Sequence, residues 1–451
     1  MALSLWAPIG CAADSEADDC SGDACTGTTG SAETLGESGG ATPGAGDDST
    51  SDDTGGASEG GSGSDESGGA SETGEPPSGC ADAGSGLELA DVSLFQVVEV
   101  PLVDDCTEVQ TAQRRGPIVA GRVGIVRATV EIPAGSGLGM VAAQVTLESA
   151  AGDETLEGDC AAVDADGGSL MLHVDVPGAA IHEDSKYAIS VVSCEDDAGL
   201  AMFPAVGVAE LGAESMGVIR MHLVPFEVGG FVPDTSQGVI DGLRAAVMAM
   251  YPVSDVEVTV GPVEPDDNGG QVDMGGLMSR LIMLQEDEVF ATGDLDPAVA
   301  DIYYYGLVTG AATREEFCDS CPTGTSESGV GDRAGSAMGA AFADELSEST
   351  LIHEMGHMHG LLHSPCGDPS LQDDRFPYAD GLTQTEGWDF RTETFVASDH
   401  NDLMGYCQPR WVSDYHYAKM AEWVHLASSW AEGGAKLPPP QHAPARLSCR
   451  H

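Results

Sequence analysis

The spacing of apolar residues changes near residue 216, and this change limits what each half of the chain can fold into. Between about 86 and 215 apolar and polar residues alternate, as in Val126–Ile132, Val141–Leu147 and Leu170–Val176. A period of two predicts strands that bury one face. Several such strands, separated by Gly, Pro and Asp turns, predict a β-sandwich over 86–215.

From about 216 onward, strand patterns alternate with helical patterns. Apolar residues recur every three or four positions in two segments, and Pro252 follows the first as a stop signal. This alternation predicts an α/β domain over 216–432. The predicted strands are Ile219–Leu223, Val256–Val260, Ile302–Val308 and Ser336–Phe342, and the predicted helices are Ile240–Met250 and Leu277–Leu284.

Two segments and the overall charge limit the partners of the chain. Residues 12–85 are almost entirely Gly, Ser, Thr, Ala, Asp and Glu, so a disordered acidic linker is predicted there. Residues 433–451 are rich in Pro and Ala and predict a loose tail. The 75 acidic residues outnumber the 17 basic ones, for a formal charge of −58. Such a surface repels phosphate backbones and anionic membranes, which excludes nucleic acid as a partner.

The first eleven residues favour export. Met1 to Cys11 form a short apolar run, and its Gly10-Cys11 end resembles the end of a bacterial lipoprotein signal. This resemblance implies a lipid anchor at Cys11 and a secreted or outer-surface protein; the alternative is an ordinary apolar N-terminus. No other stretch approaches the ~20 apolar residues that a membrane span needs.

The cysteine content is consistent with an exported chain. Twelve cysteines in such a protein predict disulfides rather than redox or metal sites. Cys160 and Cys194 lie within the predicted β-sandwich and are candidates for a pair. Cys318 and Cys321 lie three positions apart, and without a matching second pair they predict a tight local disulfide.

The segment from Leu351 onward carries the chemistry. His353 and His357 are four residues apart, so on a helix both imidazoles project from one face and can hold one zinc ion. Glu354 follows the first ligand and is predicted to be the general base that takes a proton from a zinc-activated water. Gly360 allows a sharp turn that brings His363 back as third ligand. A fourth position then stays open, as a catalytic site requires.

The run His353–His363 resembles the extended zinc signature of the metzincin metallopeptidases. That group has a methionine turn beneath the metal, and Met404 in the run Asp402–Cys407 fits this role. The tyrosine two positions later is similar to that of the astacin and serralysin branches, where it reaches the zinc or the tetrahedral intermediate. The resemblance therefore implies transition-state stabilisation by Tyr406.

Other residues of the second half can be assigned relative to the signature. The resemblance covers about 216–432, with Ser413–Trp430 as the closing helix. Cys366 lies just after the signature, and a disulfide to Cys407 would tie that loop to the methionine turn. His359 is rotated by about 240° from the first ligand and is predicted to be a packing or surface residue.

Two acidic stretches are candidate calcium sites. They are Asp266–Gly270 and Asp294–Asp296, and exported proteases often use calcium. Acidic loops are more often simply solvated, so both interpretations stay open.

The sequence therefore predicts a multidomain protein. An immunoglobulin- or fibronectin-like β-sandwich precedes a metzincin-like zinc endopeptidase domain that cleaves extracellular polypeptides or glycoproteins. The resemblance implies that an edge strand lines the cleft and pairs with an extended substrate. The rival hypothesis is a non-catalytic cell-surface binding protein with structural zinc; the acidic Glu354 argues against it, because a structural site needs no base. The sequence assigns neither oligomeric state nor cleavage specificity.

Overall fold

A computed structural model of the protein describes residues 79–82, 84–266, 270–317, 323–327, 333–367 and 369–431. The predicted signal and lipid anchor at Cys11, most of the linker and the C-terminal tail lie outside these residues. The predicted Cys318–Cys321 pair also lies outside them, as does the middle of the acidic stretch Asp266–Gly270.

The first half consists mainly of two antiparallel sheets. Its strands are β1 Ala81–Asp82, β2 Glu88–Phe95, β3 Glu99–Asp104, β4 Thr107–Glu108, β5 Ile118–Val119, β6 Gly124–Ile132, β7 Met140–Ser149, β8 Gly152–Glu157, β9 Ala161–Ala162, β10 Gly168–Val176, β11 Lys186–Ser193, β12 Gly199–Phe203, β13 Ala209–Glu210 and β14 Ala213–Glu214. One sheet has the order β10-β6-β2-β3-β4. The other has the order β1-β12-β11-β7-β8, with β13 beside β11 and β9 beside β7.

The alternation of apolar residues decides which face of each strand is buried. Val126, Ala128 and Val130 of β6 are buried, as are Val141 and Ala143 of β7, and all five belong to one continuous core. The predicted β-rich first half is confirmed. Its assignment to an immunoglobulin- or fibronectin-like sandwich stays a prediction.

Two disulfides of this first half join residues that lie next to its strands. Cys160 is bonded to Cys194, the two cysteines that the sequence offers as candidates for a pair. A second bond joins Cys80 to Cys106, and Ala81–Asp82 pairs with β12. The strand β1 therefore lies before the boundary predicted at 86.

The second half is built on a mixed sheet with a short antiparallel edge strand. The strands of this sheet are β15 Val218–Glu227, β16 Asp255–Val260, β17 Glu264–Pro265, β18 Ile302–Val308, β19 Gly324–Glu327 and β20 Ser336–Ala340. Two separate two-stranded sheets come later in the chain, one of β21 Gly387–Asp389 and β22 Thr394–Val396, the other of β23 Asn401–Asp402 and β24 Arg410–Trp411. In the six-stranded sheet, the order is β16-β15-β18-β20-β19, with β17 beside β15. All neighbours are parallel except β19 and β20. The predicted strand Ser336–Phe342 is β20, two residues shorter and inside the sheet, whereas the edge strand β19 is absent from the sequence prediction.

Five helices accompany this sheet in the described residues. They are α1 Gln237–Met250, α2 Met274–Val289, α3 Arg314–Phe317, α4 Glu345–Met358 and α5 Asp414–Ala431, and two 3-10 turns lie at Thr111–Gln113 and Gly178–Ala180. The predicted cap of the closing helix is present, since Ser413 Oγ accepts from His416 N. Helices that combine the length and the apolar character of a membrane span are not found among the described residues.

Arg122, at the start of the segment leading into β6, joins the first half to α1. It is 1% exposed, and its guanidinium donates to the carbonyl oxygens of Tyr251 (2.8 Å), Val253 (2.7 Å) and Met248. Its Nε–H donates to Gln96 O at 3.3 Å. Carbonyls at the C-terminal end of a helix lack intrahelical donors and favour a cation, so this arginine caps α1. Burial lowers the pKa of Arg122.

Val97 makes a second connection between the halves, at the turn between β2 and β3. Its carbonyl oxygen accepts from the indole N–H of Trp411 and from the backbone N–H of Trp388, both at 3.0 Å. Because Trp411 follows the predicted methionine turn closely, this turn of the first half supports the segment beneath the candidate site.

Replacing Arg122 with methionine is expected to lower the free energy of unfolding by about 3 kcal/mol, because each buried carbonyl that loses its donor costs about 1–3 kcal/mol. Urea unfolding of the purified protein measures this change. Lys186→Met is the control, because Lys186 is exposed and forms its salt bridge with the exposed Glu210 on the sheet surface. Equal midpoint shifts in the two variants would contradict the capping role.

Candidate metal centre

Helix α4 carries the first half of the zinc signature, and its two ends are fixed by local interactions. At its start, Asp344 accepts from Ser347 N at 2.9 Å and pairs with Arg314 at 2.7 Å. At its end, His359 is the C-cap residue, and Gly360 after it has a φ of +75°, a left-handed conformation that glycine adopts readily. The turn at Gly360 therefore occurs where the sequence predicts it.

Three histidines of the signature come together at this turn. The candidate ligand atoms of His353, His357 and His363 all lie within 4.8 Å of one another. All three side chains are buried, with exposed fractions of 8%, 2% and 1%. The Nε2 atoms of His357 and His363 are 3.1 Å apart.

Each imidazole is oriented by a backbone carbonyl. His353 Nδ1 lies 3.0 Å from Leu403 O, and His357 Nδ1 lies 2.8 Å from Leu361 O. His363 Nδ1 lies 2.5 Å from Ser370 O. Since a carbonyl oxygen only accepts, each Nδ1 carries the proton and each Nε2 presents its lone pair to the centre. Histidines that bind a metal ion through one ring nitrogen usually donate the N–H of the other ring nitrogen to such an acceptor.

These residues fit a zinc ion. Two Nε2 lone pairs that face each other at 3.1 Å repel unless a cation lies between them. Ligands about 2.05 Å from a tetrahedral zinc are about 3.3 Å apart, close to this separation. Burial lowers the pKa of His357 to about 3 and that of His353 well below its usual range, which keeps both rings neutral, as metal binding requires.

Glu354 lies buried beside the ligands, with an exposed fraction of 7%. Burial raises its pKa to about 7. Among the described residues, its Oε2 has no hydrogen-bond partner. The edge strand makes room for this side chain, because a Cβ at Gly324 would lie 2.5 Å from Glu354 Oε1. Gly324 was not predicted from the sequence, since no local pattern links it to a residue 30 positions later.

Met404 packs beneath α4 and is fully buried. A Cβ at Gly356 would overlap its sulfur atom, so glycine at this helix position lets the turn approach closely. The small residue between the two helix ligands was not recognised from the sequence. The role of Met404 as the floor of the centre stays a prediction.

Asp402 holds the turn that carries Met404 against α5. Its Oδ1 accepts from Met404 N at 2.9 Å and lies 2.7 Å from His416 Nδ1, while its Oδ2 accepts from the Ser413 hydroxyl at 2.6 Å. Asp402 and His416 are both fully buried. No local spacing in the sequence links His416 to Asp402, because the two residues lie in different elements.

Tyr406 lies at the rim of the centre. Its hydroxyl is 3.3 Å from His363 Nε2 and its side chain is 38% exposed. The structure contains the disulfide between Cys366 and Cys407, and Tyr406 N donates to Cys366 O at 2.9 Å. Gly367 has a φ of +82°, and a Cβ there would lie 2.7 Å from that of Tyr406.

His359 packs away from the three ligands, as the sequence predicts. It is buried between the rings of Tyr251 and Tyr303, each 5.2 Å away, and its Nε2 lies 3.0 Å from the Tyr303 hydroxyl. The Tyr251 hydroxyl donates to Ile352 O at 2.8 Å and thereby holds α4 from behind.

The calcium hypothesis gains no support. Among the described residues, Asp294 and Asp296 belong to no cluster of three or more candidate ligands. Asp267 to Gly269 lie outside the described residues.

Comparison with known proteins agrees with this geometry. The family model described as Peptidase M66 matches residues 312–424, a span that begins before α3 and ends within α5. The match supports a metallopeptidase. No curated protein matches the chain. Among solved structures, the chain is similar to the crystal structure of the C-terminal domain of wzt, at 10% identity and a TM-score of 0.20, over 31% of this chain and 87% of that chain. This TM-score is too low to inform fold or function.

Glu354→Gln is expected to raise the free energy of unfolding of the metal-free protein above that of wild type. This gain should be larger at pH 8 than at pH 4 by about 1–3 kcal/mol. The pKa of this carboxyl is near 4.5 in the unfolded chain and about 7 in the folded protein, so folding holds the proton on Glu354 to a higher pH. The contribution of Glu354 to wild-type stability therefore falls as the pH rises through this window, and glutamine does not titrate. Urea unfolding at both pH values measures the difference, and the exposed Glu183→Gln controls for the lost charge. A pH-independent difference would count against the buried carboxyl.

Proposed function

We propose that the protein is a zinc endopeptidase that hydrolyses peptide bonds of extracellular proteins. The observation that carries the proposal is the set of three buried imidazoles whose Nδ1 atoms are all committed to carbonyls, with Glu354 beside them. His353, His357 and His363 would hold the metal. When bound, zinc would lower the pKa of a water molecule and polarise the scissile carbonyl.

Glu354 would act as the general base. It follows the first ligand on α4, and its buried carboxyl has a pKa near 7, which suits proton transfer at neutral pH. The carboxylate would take a proton from the attacking water and then give it to the leaving amine. The Gly324 backbone would position this carboxyl by closing one side of its pocket.

Tyr406 would donate a hydrogen bond to the oxyanion that develops on the scissile carbonyl. Its hydroxyl lies 3.3 Å from His363 Nε2, at the exposed side of the centre. A donor placed where charge develops contributes mainly to kcat. The Cys366–Cys407 disulfide would hold this tyrosine in position.

The unpaired side of the edge strand β19 would bind an extended substrate. It pairs with β20 on one side, and in the described part of the chain no strand pairs with its other side. An extended polypeptide could add there through main-chain hydrogen bonds. Gly324 in this strand contacts Glu354, so such a peptide would pass beside the catalytic carboxyl.

The proposed architecture is a β-sandwich followed in the chain by a metzincin-like catalytic domain. In that domain Gly360 would form the turn after the helix and Met404 the floor of the centre. Disulfides persist in oxidising compartments, and three are present in the described residues, which supports an extracytoplasmic location.

Glu354→Ala is expected to lower casein hydrolysis by at least about 100-fold, because general-base catalysis contributes about 10²–10⁴-fold. Both proteins should retain one zinc ion in metal analysis. His363→Ala is the companion variant and should lose the metal as well as activity. If wild type cleaves casein no better than Glu354→Ala while both bind one zinc, the peptidase hypothesis is wrong and the structural-zinc alternative is favoured.

Tyr406→Phe is expected to lower kcat by about 10- to 100-fold with little change in KM and with zinc retained, since it removes one transition-state donor. Steady-state kinetics on a quenched fluorescent peptide measure both constants. Tyr378→Phe is a matched control, because the Tyr378 hydroxyl donates to Asp414 instead. An increase confined to KM would show that Tyr406 binds the ground state and the transition state equally, which would contradict selective stabilisation of the oxyanion.

A further inference from the structure

Leu371 is an exposed apolar residue whose backbone carbonyl accepts from the backbone N–H of the candidate ligand His363. The ligands and Glu354 are buried, whereas Leu371 is 51% exposed and Tyr406 is 38% exposed. A single exposed leucine is common on protein surfaces, so exposure alone indicates nothing. Its backbone adds an independent observation.

The backbone of Leu371 is in the left-handed region, with a φ of +57°. In the described residues, the non-glycine positions with positive φ are Asp105, Cys106, Asp197, Leu371, Gln384 and Glu393, and Leu371 is the one aliphatic residue among them. Glycine or asparagine adopts this conformation far more readily than leucine does. The fold therefore favours another residue at this position.

The conformation itself is required by the third ligand. Ser370 O accepts from His363 Nδ1, and the next carbonyl, Leu371 O, accepts from His363 N at 3.2 Å. Asp373 N then donates to His363 O at 2.8 Å. Successive carbonyls thus bond the same histidine, which explains the backbone. It does not explain a leucine side chain that is neither buried nor suited to the conformation.

The loop that presents Leu371 is fixed at its far end. Asp373 is 8% exposed, and its Oδ2 accepts from the Tyr415 hydroxyl at 2.8 Å and from Lys419 Nζ at 2.7 Å, both on α5. An exposed apolar side chain on a fixed loop, next to a metal ligand, is suited to contact a bound chain. Strain at a non-glycine residue is frequently retained at functional sites.

We propose that Leu371 is a specificity residue, on which an apolar side chain of the substrate packs close to the scissile bond. The proposal rests on the proposed peptidase function and names the class of substrate: polypeptides with an apolar residue at that subsite. The carbonyls of the loop position His363, and the leucine side chain selects the substrate.

The test compares Leu371→Asn and Leu371→Gly with wild type in the zinc-loaded protein. Both replacements suit the left-handed backbone, so the melting temperature is expected to rise by about 1–3 °C with unchanged zinc affinity. A peptide-library cleavage profile should lose its apolar preference at one subsite, with kcat/KM for apolar peptides reduced about 10-fold. Glu393→Gly is the matched control: its φ is +54°, it is exposed, and it lies in the β21–β22 hairpin. This control should gain stability and keep the profile.

Three outcomes would overturn the inference. An unchanged profile in both Leu371 variants, with wild type active, refutes the specificity role and leaves the peptidase function standing. A loss of zinc affinity or of stability in both variants shows that the leucine has a structural role. A wild type that binds zinc but cleaves no library peptide refutes the proposed function and this inference together.

Discussion

The candidate centre depends on the bonds between three imidazole Nδ1 atoms and three backbone carbonyls. The carbonyls belong to Leu361, Ser370 and Leu403, which lie in three different segments after α4. Each bond sets a tautomer and a ring orientation, and only together do they direct three Nε2 lone pairs to one point. The position of every segment that supplies a carbonyl therefore determines whether a metal ion can bind.

Two interactions with α5 keep those segments in place. Buried Asp402 joins the turn after Leu403 to His416, and Asp373 joins the loop after Ser370 to Lys419. A buried carboxylate is tolerated here because each is matched by hydrogen-bond donors. Helix α5 thus acts as a common support for two of the three carbonyls, although it provides no residue to the centre.

Much of the fold follows from the sequence because burial of one face imposes a period. The strands β6 and β7 and the helix α1 are all evident from their apolar spacing. The edge strand β19 was missed, since four residues rich in Gly, Ser and Thr carry no such period. Arg122 could not be placed either, because its carbonyl partners lie about 130 positions later.

The sequence by itself determined the helical pair His353 and His357, the adjacent Glu354 and the turn at Gly360, because helical geometry and glycine's conformational freedom act within a few residues. Only the tertiary structure decided how these groups are oriented and enclosed. The carbonyl that orients His353 lies 50 positions away, and the backbone that encloses Glu354 belongs to Gly324 on the edge strand. Such contacts depend on how separate elements pack, and no local spacing of residue types records them.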